Sequence, residues 1–259
     1  MSNKENGSIF KYLSFTKEIV KRDIKKKYYK SALGIVWTVL NPLLSMLVMA
    51  FVFSALFKRN IENYPVYLLC GQLVFSFISG AGRLGMDSII GSADLIRQLY
   101  IPKYVFVFSK VVQSLVDLLF SMIALFIVMF ITGAPITPYL LLLPLLMTLM
   151  FAFAMGLALI LATYGTFFRD INHLYGIATT LWMWLSAIFY PTSILGVEYQ
   201  FVFDINPAYQ YIYFMRCIVY EGAMPPEKTL LITAAYAVIT LLMGIFTFKE
   251  NENKFMLYI

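Results

Sequence analysis

The chain has 259 residues, of which 61% are hydrophobic and only 13% charged. Soluble domains run at about 45–50% apolar and about 25% charged, so this chain cannot clothe a water-facing surface and a soluble enzyme is all but excluded. Its 23 Phe, 18 Tyr and 3 Trp exclude disorder, and two distant cysteines, Cys70 and Cys217, offer neither a disulfide framework nor a zinc spacing.

From the N-terminus, residues 9–30 place Ile9, Leu13, Ile19, Val20, Ile24 and Tyr28 near helical spacing, with lysines on the remaining face. This pattern predicts a basic amphipathic helix lying in the membrane interface. It is either a topology anchor or a collar that gathers an anionic lipid-linked substrate. A helix crossing about 30 Å of hydrocarbon needs roughly 20 apolar residues. Six stretches qualify: 31–57, 64–84, 104–131, 139–164, 171–190 and 229–248. Asn41-Pro42 predicts a kink in the first. That first stretch is too long for a signal peptide and no small-residue cleavage site follows it, so it is expected to stay as an anchor.

Residues 86–103 are too polar to span, yet they contain Ile89, Ile90, Leu95, Ile96 and Leu99. A short helix ended by Ile101-Pro102 fits; it is either a docking element for a soluble partner or a packed connector. Asp117 lies deep in the third span and shares a helix face with Lys110, Gln113 or Ser114, and Ser121. An intramembrane carboxylate suggests function. A single acid without a histidine chain makes a thin proton relay, so a structural or pathway-lining role is favoured. Residues 191–227 are apolar and aromatic, and the dozen residues after Asn206-Pro207 suit a re-entrant helix. Their tyrosines form either an aromatic belt or a lid on a pathway.

Sixteen of the twenty Lys and Arg fall in the N-terminus, the 86–103 region and its edges, the Arg169 loop and the C-terminus. Only Lys58, Arg59, Arg216 and Lys228 fall on the opposite side. The positive-inside rule then puts both termini in the cytoplasm, and the chain reads as one all-α transmembrane domain over 1–259 rather than a nucleic-acid binder.

Two motifs tempt. Gly80-Ala81-Gly82-Arg83-Leu84-Gly85 spells the dinucleotide fingerprint, but it closes a membrane helix instead of joining strand to helix. Its glycines read better as close helix contacts or a flexible exit. As a P-loop it fails, because Met86-Asp87 stands where Lys-Ser/Thr is needed. No metal ligand set surrounds His173, the only histidine, and the Asn6-Gly7-Ser8 sequon lies on the cytoplasmic side. Nucleotide chemistry, where needed, must come from another chain.

The run from Lys27 to Trp37 (KYYKSALGIVW), followed by Asn41-Pro42-Leu43, resembles the start of export-type ATP-binding-cassette permeases for polysaccharides and polyol phosphates. Leu99-Tyr100-Ile101-Pro102-Lys103, Phe167-Phe168-Arg169-Asp170-Ile171 with Tyr190-Pro191, and Asn206-Pro207 with Arg216 match in the same order. The ending from Asn253 to Ile259 is similar to that of Gram-positive members.

The resemblance implies a non-catalytic half-transporter of the bacterial cytoplasmic membrane. It would act as a homodimer with two copies of a separate ATPase, which would carry the ATP and Mg, leaving no cofactor on this chain. The cargo would be a lipid-linked O-antigen, capsule or teichoic-acid-like polymer. The three unusual segments become interface helix, coupling helix and re-entrant outer gate. By likeness, Asp94, Leu95, Arg97, Gln98, Leu99, Tyr100 and Lys103, with Arg169 and Asp170, meet the ATPase. Lys21, Arg22, Lys25, Lys26 and Lys27 meet lipid headgroups, while Tyr209, Tyr213 and Arg216 belong to the outer gate. A glycan slides best over many weak contacts between sugar C–H faces and aromatic rings, which nominates Trp37, Tyr164, Tyr175, Trp182, Trp184 and Tyr190 as channel wall. Two other readings stay open: a drug or lipid exporter of the same architecture, and a proton-coupled carrier using Asp117.

Overall fold

The computed structural model describes residues 2–27, 29–57, 61–98, 101–194 and 196–258. Every regular element among them is helical. In chain order the α-helices are α1 (Ser2–Lys27), α2 (Trp37–Phe57), α3 (Tyr64–Met86), α4 (Ala93–Gln98), α5 (Tyr104–Thr132), α6 (Leu143–Phe167), α7 (Ile171–Leu185), α8 (Gln200–Ile205), α9 (Pro207–Arg216) and α10 (Glu227–Asn251). Among the described residues, five helical segments, those containing α2, α3, α5, α6 and α10, are long and apolar enough to cross a membrane. The expected helix over 171–190 ends at Leu185, and its 15 residues reach only about 22 Å. The expected cytoplasmic helix is likewise short: a 3₁₀ turn at Ile90–Ser92 leads into the six residues of α4.

Local chemistry sets the helix ends. Gly133 takes a left-handed conformation (φ +68°) and stops α5. Asn206 caps α9 by accepting from the backbone N–H of Ala208 (3.0 Å) and Tyr209 (3.3 Å), with Pro207 at the first helical position. Pro42 sits inside α2 without ending it.

The bundle is built around α3. Of its apolar stretch 72% is buried, against 11% for α2, so α2 lies at the edge while α3 forms the axis. Val66, Leu68, Leu69, Cys70 and Ile78 are shut off entirely, packed toward α5, α6 and α9. In lipid no hydrophobic force draws helices together, so association depends on close packing of small residues. Gly156 of α6 and Gly244 of α10 supply it: a Cβ on Gly244 would stand 2.8 Å from Gly156 Cα. Two of the three fingerprint-like glycines, Gly82 and Gly85, are helix contacts as well, whereas Gly80 faces open space. A Cβ on Gly82 would collide with the Tyr175 hydroxyl, and one on Gly85 with Ala158.

The ends of the bundle are chemically unlike. At one end, Met86 meets Gly165, and Phe167 packs on Phe255 and Tyr258 (5.7 and 5.0 Å between centroids). This end gathers Arg83, Arg97, Lys103, Arg169, Lys249 and Lys254. At the other, Asn63 donates to Thr132 (2.9 Å) and Tyr220 to the Glu62 carbonyl (2.6 Å). Lys228 pairs with Asp204 there at 3.6 Å. Lys58 and Arg59 lie outside the described residues.

Candidate functional site

Beyond Leu185 the chain leaves the helix at a buried level of the bundle, and Ala187 is held at φ +47°. Ala187, Ile188 and Phe189 are all buried, so their carbonyls need partners from within the protein. Each finds one in a side chain from elsewhere. Asn206 Nδ2 donates to the Leu185 carbonyl (3.0 Å), and Arg216 Nη2 donates to those of Ala187 and Ile188 (3.0 Å each). Tyr64 donates to the Phe189 carbonyl (2.8 Å) and Tyr67 to that of Tyr190 (3.0 Å). Tyr64 and Tyr67 stand three apart on α3, which puts both hydroxyls on one helix face. The broken segment is thus held from α3 on one side and α9 on the other.

Arg216 is the centre of this cradle. It is only 4% exposed, and its guanidinium carbon lies 3.5 Å from the centroid of the Tyr67 ring. No carboxylate is paired with it among the described residues, and Nε is left without a partner. Two carbonyls and an aromatic face therefore carry its charge. Asn206 works harder than a cap: its Oδ1 also accepts from Trp182 Nε1 (2.8 Å), and its Nδ2 donates to Ser186 Oγ (3.1 Å). The Asn206-Pro207 motif therefore keys the end of α7 to the start of α9. Around it, Tyr209 stacks with Tyr213 (6.1 Å) and tilts against Phe203 (5.0 Å). Tyr209, Tyr213 and Arg216 are thus brought together. Tyr64 and Tyr67, which hold the other flank, carry no signal in the sequence beyond their three-residue spacing.

The six aromatic channel candidates divide. Trp37, Tyr164 and Trp184 are exposed, and Tyr190 is half-buried. Tyr175 is buried with its hydroxyl on the Ser79 carbonyl (2.9 Å), and Trp182 packs edge-on to Phe75 while bonding Asn206. These two support the bundle. Phe53 of α2 stacks on Phe189 (5.8 Å), which in turn contacts Trp184 (5.3 Å), so α2 meets the non-helical segment that follows α7.

At the basic end, Asp94, Arg97 and Gln98 of α4 are exposed, as are Arg169 and Asp170 just before α7; Leu95 and Lys103 are half-buried. Leu99 and Tyr100 lie outside the described residues. Asn172 Nδ2 donates to Asp87 Oδ1 (3.2 Å), joining the segment leading to α4 to the first turn of α7. Lys103 donates to the Glu252 carbonyl, tying the same segment to the C-terminus.

Helix α1, expected to lie apart in the interface, packs against α5. Among its described side chains the buried ones are Thr16, Ile19, Val20 and Asp23, a face of steps three and four, and Phe15 meets Phe106 of α5 edge-on at 5.8 Å. Asp23 sits on this packed face, where Lys110 reaches it at 2.6 Å and Arg22 at 2.9 Å. Burial works to raise the Asp23 pKa, but the hydrogen bond and charge of Lys110, followed by those of Arg22, outweigh it and hold the carboxyl below its ordinary value. One turn on, Lys27 pairs with Asp117 at 2.8 Å. The intramembrane acid thus has a cation from the helix that precedes the first span. Lys21, Lys25 and Lys26 are exposed around these pairs.

Five membrane-length helices, a helix broken at depth with side-chain-capped carbonyls, and a basic end carrying a short exposed helix define a multi-pass membrane protein of the transporter kind. Residues 15–220 match the model of the ABC-2 type transporter membrane family, and the chain belongs to that family. It is a transport subunit with membrane-embedded helices. It is similar to an O-antigen export system permease protein RfbA of Myxococcus xanthus, 28% identical over 249 residues covering 95% of this chain and 96% of the relative. A protein of the same name from Klebsiella pneumoniae is 24% identical, with 92% of each chain covered. The polysialic acid transport protein KpsM of Escherichia coli is 21% identical over 90% of this chain and 91% of its own length.

Proposed function

We propose that the chain is the permease subunit of an ATP-driven exporter that moves a lipid-linked polysaccharide, or a teichoic-acid-like polymer, outward across the bacterial cytoplasmic membrane. Two copies pair around the pathway, and each docks one ATPase that binds ATP and Mg. The basic end faces the cytoplasm. The sixth crossing is made by α7 together with the non-helical residues 186–190, since irregular backbone is tolerated at membrane depth where protein satisfies it.

The observation that carries this reading is the contrast between α3 and the α2–α7 side. Leu44, Leu47 and Val48 of α2 and Leu174, Ile177 and Leu181 of α7 are exposed, while α3 is sealed. A second copy and a sliding polymer cover these faces, with Trp37, Tyr164, Trp184 and Tyr190 offering the rings. End-to-end similarity to O-antigen and polysialic acid permeases supports the cargo class.

The geometry also supplies a route for force. An ATPase pressing on α4 and on Arg169–Asp170 displaces α7 through the Asp87–Asn172 bond. The upper end of α7 is keyed by Asn206 to α9, so movement at the basic end reaches the broken segment. Lys21, Lys25 and Lys26 gather the anionic carrier at the cytoplasmic surface. The test is reconstitution with the ATPase chain in vesicles. ATP is expected to drive the lipid-linked polymer across; transport driven by a proton gradient without the ATPase would overturn the proposal.

A further inference from the structure

A groove of about 930 Å³ opens at the basic end, between the α4–α5 connection, α6 and the last turns of α10. That is near the upper end of volumes that hold ligands. Its floor is apolar: Met155 and Leu159 from α6 and Leu241, Ile245 and Phe248 from α10. Its rim carries Arg97, Lys103 and Lys249 against a single carboxylate, Glu252. Lys103 spends one donor on the Glu252 carbonyl and keeps two more.

Depth identifies the occupant. Met155 lies twelve residues, about 18 Å, inside the end of α6 at Phe167, and Leu241 lies ten residues, about 15 Å, inside the end of α10 at Asn251. A soluble partner does not reach that level, whereas an acyl chain does. The cations sit where a headgroup belongs, and their excess over the one acid selects negative charge.

We propose that this groove holds one anionic diacyl phospholipid of the surrounding leaflet, its acyl chain between α6 and α10 and its phosphate on the Arg97–Lys103–Lys249 rim. The lipid fills the seam between the coupling segment and the C-terminal helix. The polymer carrier is a different molecule, met by Lys21, Lys25 and Lys26 near the end of α1, whereas of the described residues of α1 only Tyr12 lines the groove.

The test uses the delipidated full-length chain in non-ionic detergent, titrated with phosphatidylglycerol, phosphatidylcholine or glycerol 3-phosphate and read by native mass spectrometry. One phosphatidylglycerol is expected to bind per chain, with phosphatidylcholine and glycerol 3-phosphate far weaker. Lys249→Gln should weaken it roughly fivefold, the worth of one interfacial cation. Ile245→Trp, which fills the groove from an exposed position, should abolish retention, and Lys228→Gln at the opposite end should change nothing. Equal binding of phosphatidylcholine, equal binding of glycerol 3-phosphate, or indifference to both groove substitutions would overturn the proposal. So would displacement of the lipid when the ATPase chain assembles, because the groove would then be a protein-docking surface. Transport is not measured, so failure here leaves the proposed export function standing.

Discussion

Replacing Arg216 with methionine tests the cradle most directly. The substitution keeps the volume and flexibility of the stem but removes both donations to the Ala187 and Ile188 carbonyls and the contact with the Tyr67 face. Each buried carbonyl left without a donor costs about 1–3 kcal/mol, and the lost cation–π contact adds up to about 2 kcal/mol. Relief from burying a charge without a carboxylate partner offsets part of this. A net loss of about 2–4 kcal/mol is expected, and Ala187, held at φ +47°, loses the contacts that keep it there. Lysine, which cannot reach two carbonyls in a fork, should recover less than half. The assay is thermal unfolding of the purified chain in detergent, combined with a double-mutant cycle against Tyr67→Leu. Coupling of about 1–2 kcal/mol between Arg216 and Tyr67 is expected. Strictly additive effects, or an Arg216→Met chain as stable as the parent, would refute the reasoning that these two residues jointly hold the broken segment.

Other perturbations address the remaining contacts. Gly244→Ala should destabilise the α6–α10 crossing by about 1–3 kcal/mol, because its Cβ would stand 2.8 Å from Gly156 Cα, whereas Gly80→Ala, with nothing within 4 Å, should be neutral in the same melt. Asp117→Asn should leave ATP-driven transport largely intact, and the reciprocal pair Lys27→Asp with Asp117→Lys should restore any loss of stability; abolished transport with a stable fold would return Asp117 to a proton-carrying role. A fluorophore on α1 should report release from α5 on acidification. Because the folded Asp23 pKa lies below its ordinary value of 3.8, the pair's contribution is complete above that value and fades as pH falls through the lower folded one. Asp23→Asn should abolish that acid transition, and an unchanged profile would count against the pair. Asn172→Ala should weaken ATPase-driven transport more than ATPase co-purification if the Asp87 bond relays movement.

Much of the architecture was legible because composition alone forces it. Apolar length gave six candidate crossings, of which five are membrane-length helices; the lysine stripe gave α1, and the turn residues Asn206-Pro207 gave a helix start. What stayed hidden depends on partners far away in the chain. Ile188, Phe189 and Tyr190 continue the apolar run, so nothing local says that α7 stops at Leu185; donors from Tyr64, Tyr67, Asn206 and Arg216 decide it. Asp117 read as a lone acid because its partner, Lys27, stands 90 positions earlier, on a helix expected to lie apart in the interface. Tyr175 and Trp182 read as channel rings by residue type, while their hydrogen bonds turn them toward the bundle.

The Gly156–Gly244 crossing carries a mechanical consequence. Two backbones in direct touch cannot slide without one carbonyl row riding over the other, so α6 and α10 travel as a single rigid strut. With α3 wedged beside that strut, little of the bundle's interior is free to deform. Any stroke that opens a passage must be taken up outside that strut, by the edge helix α2 and by α7 turning on its few side-chain pins, against a stationary wall.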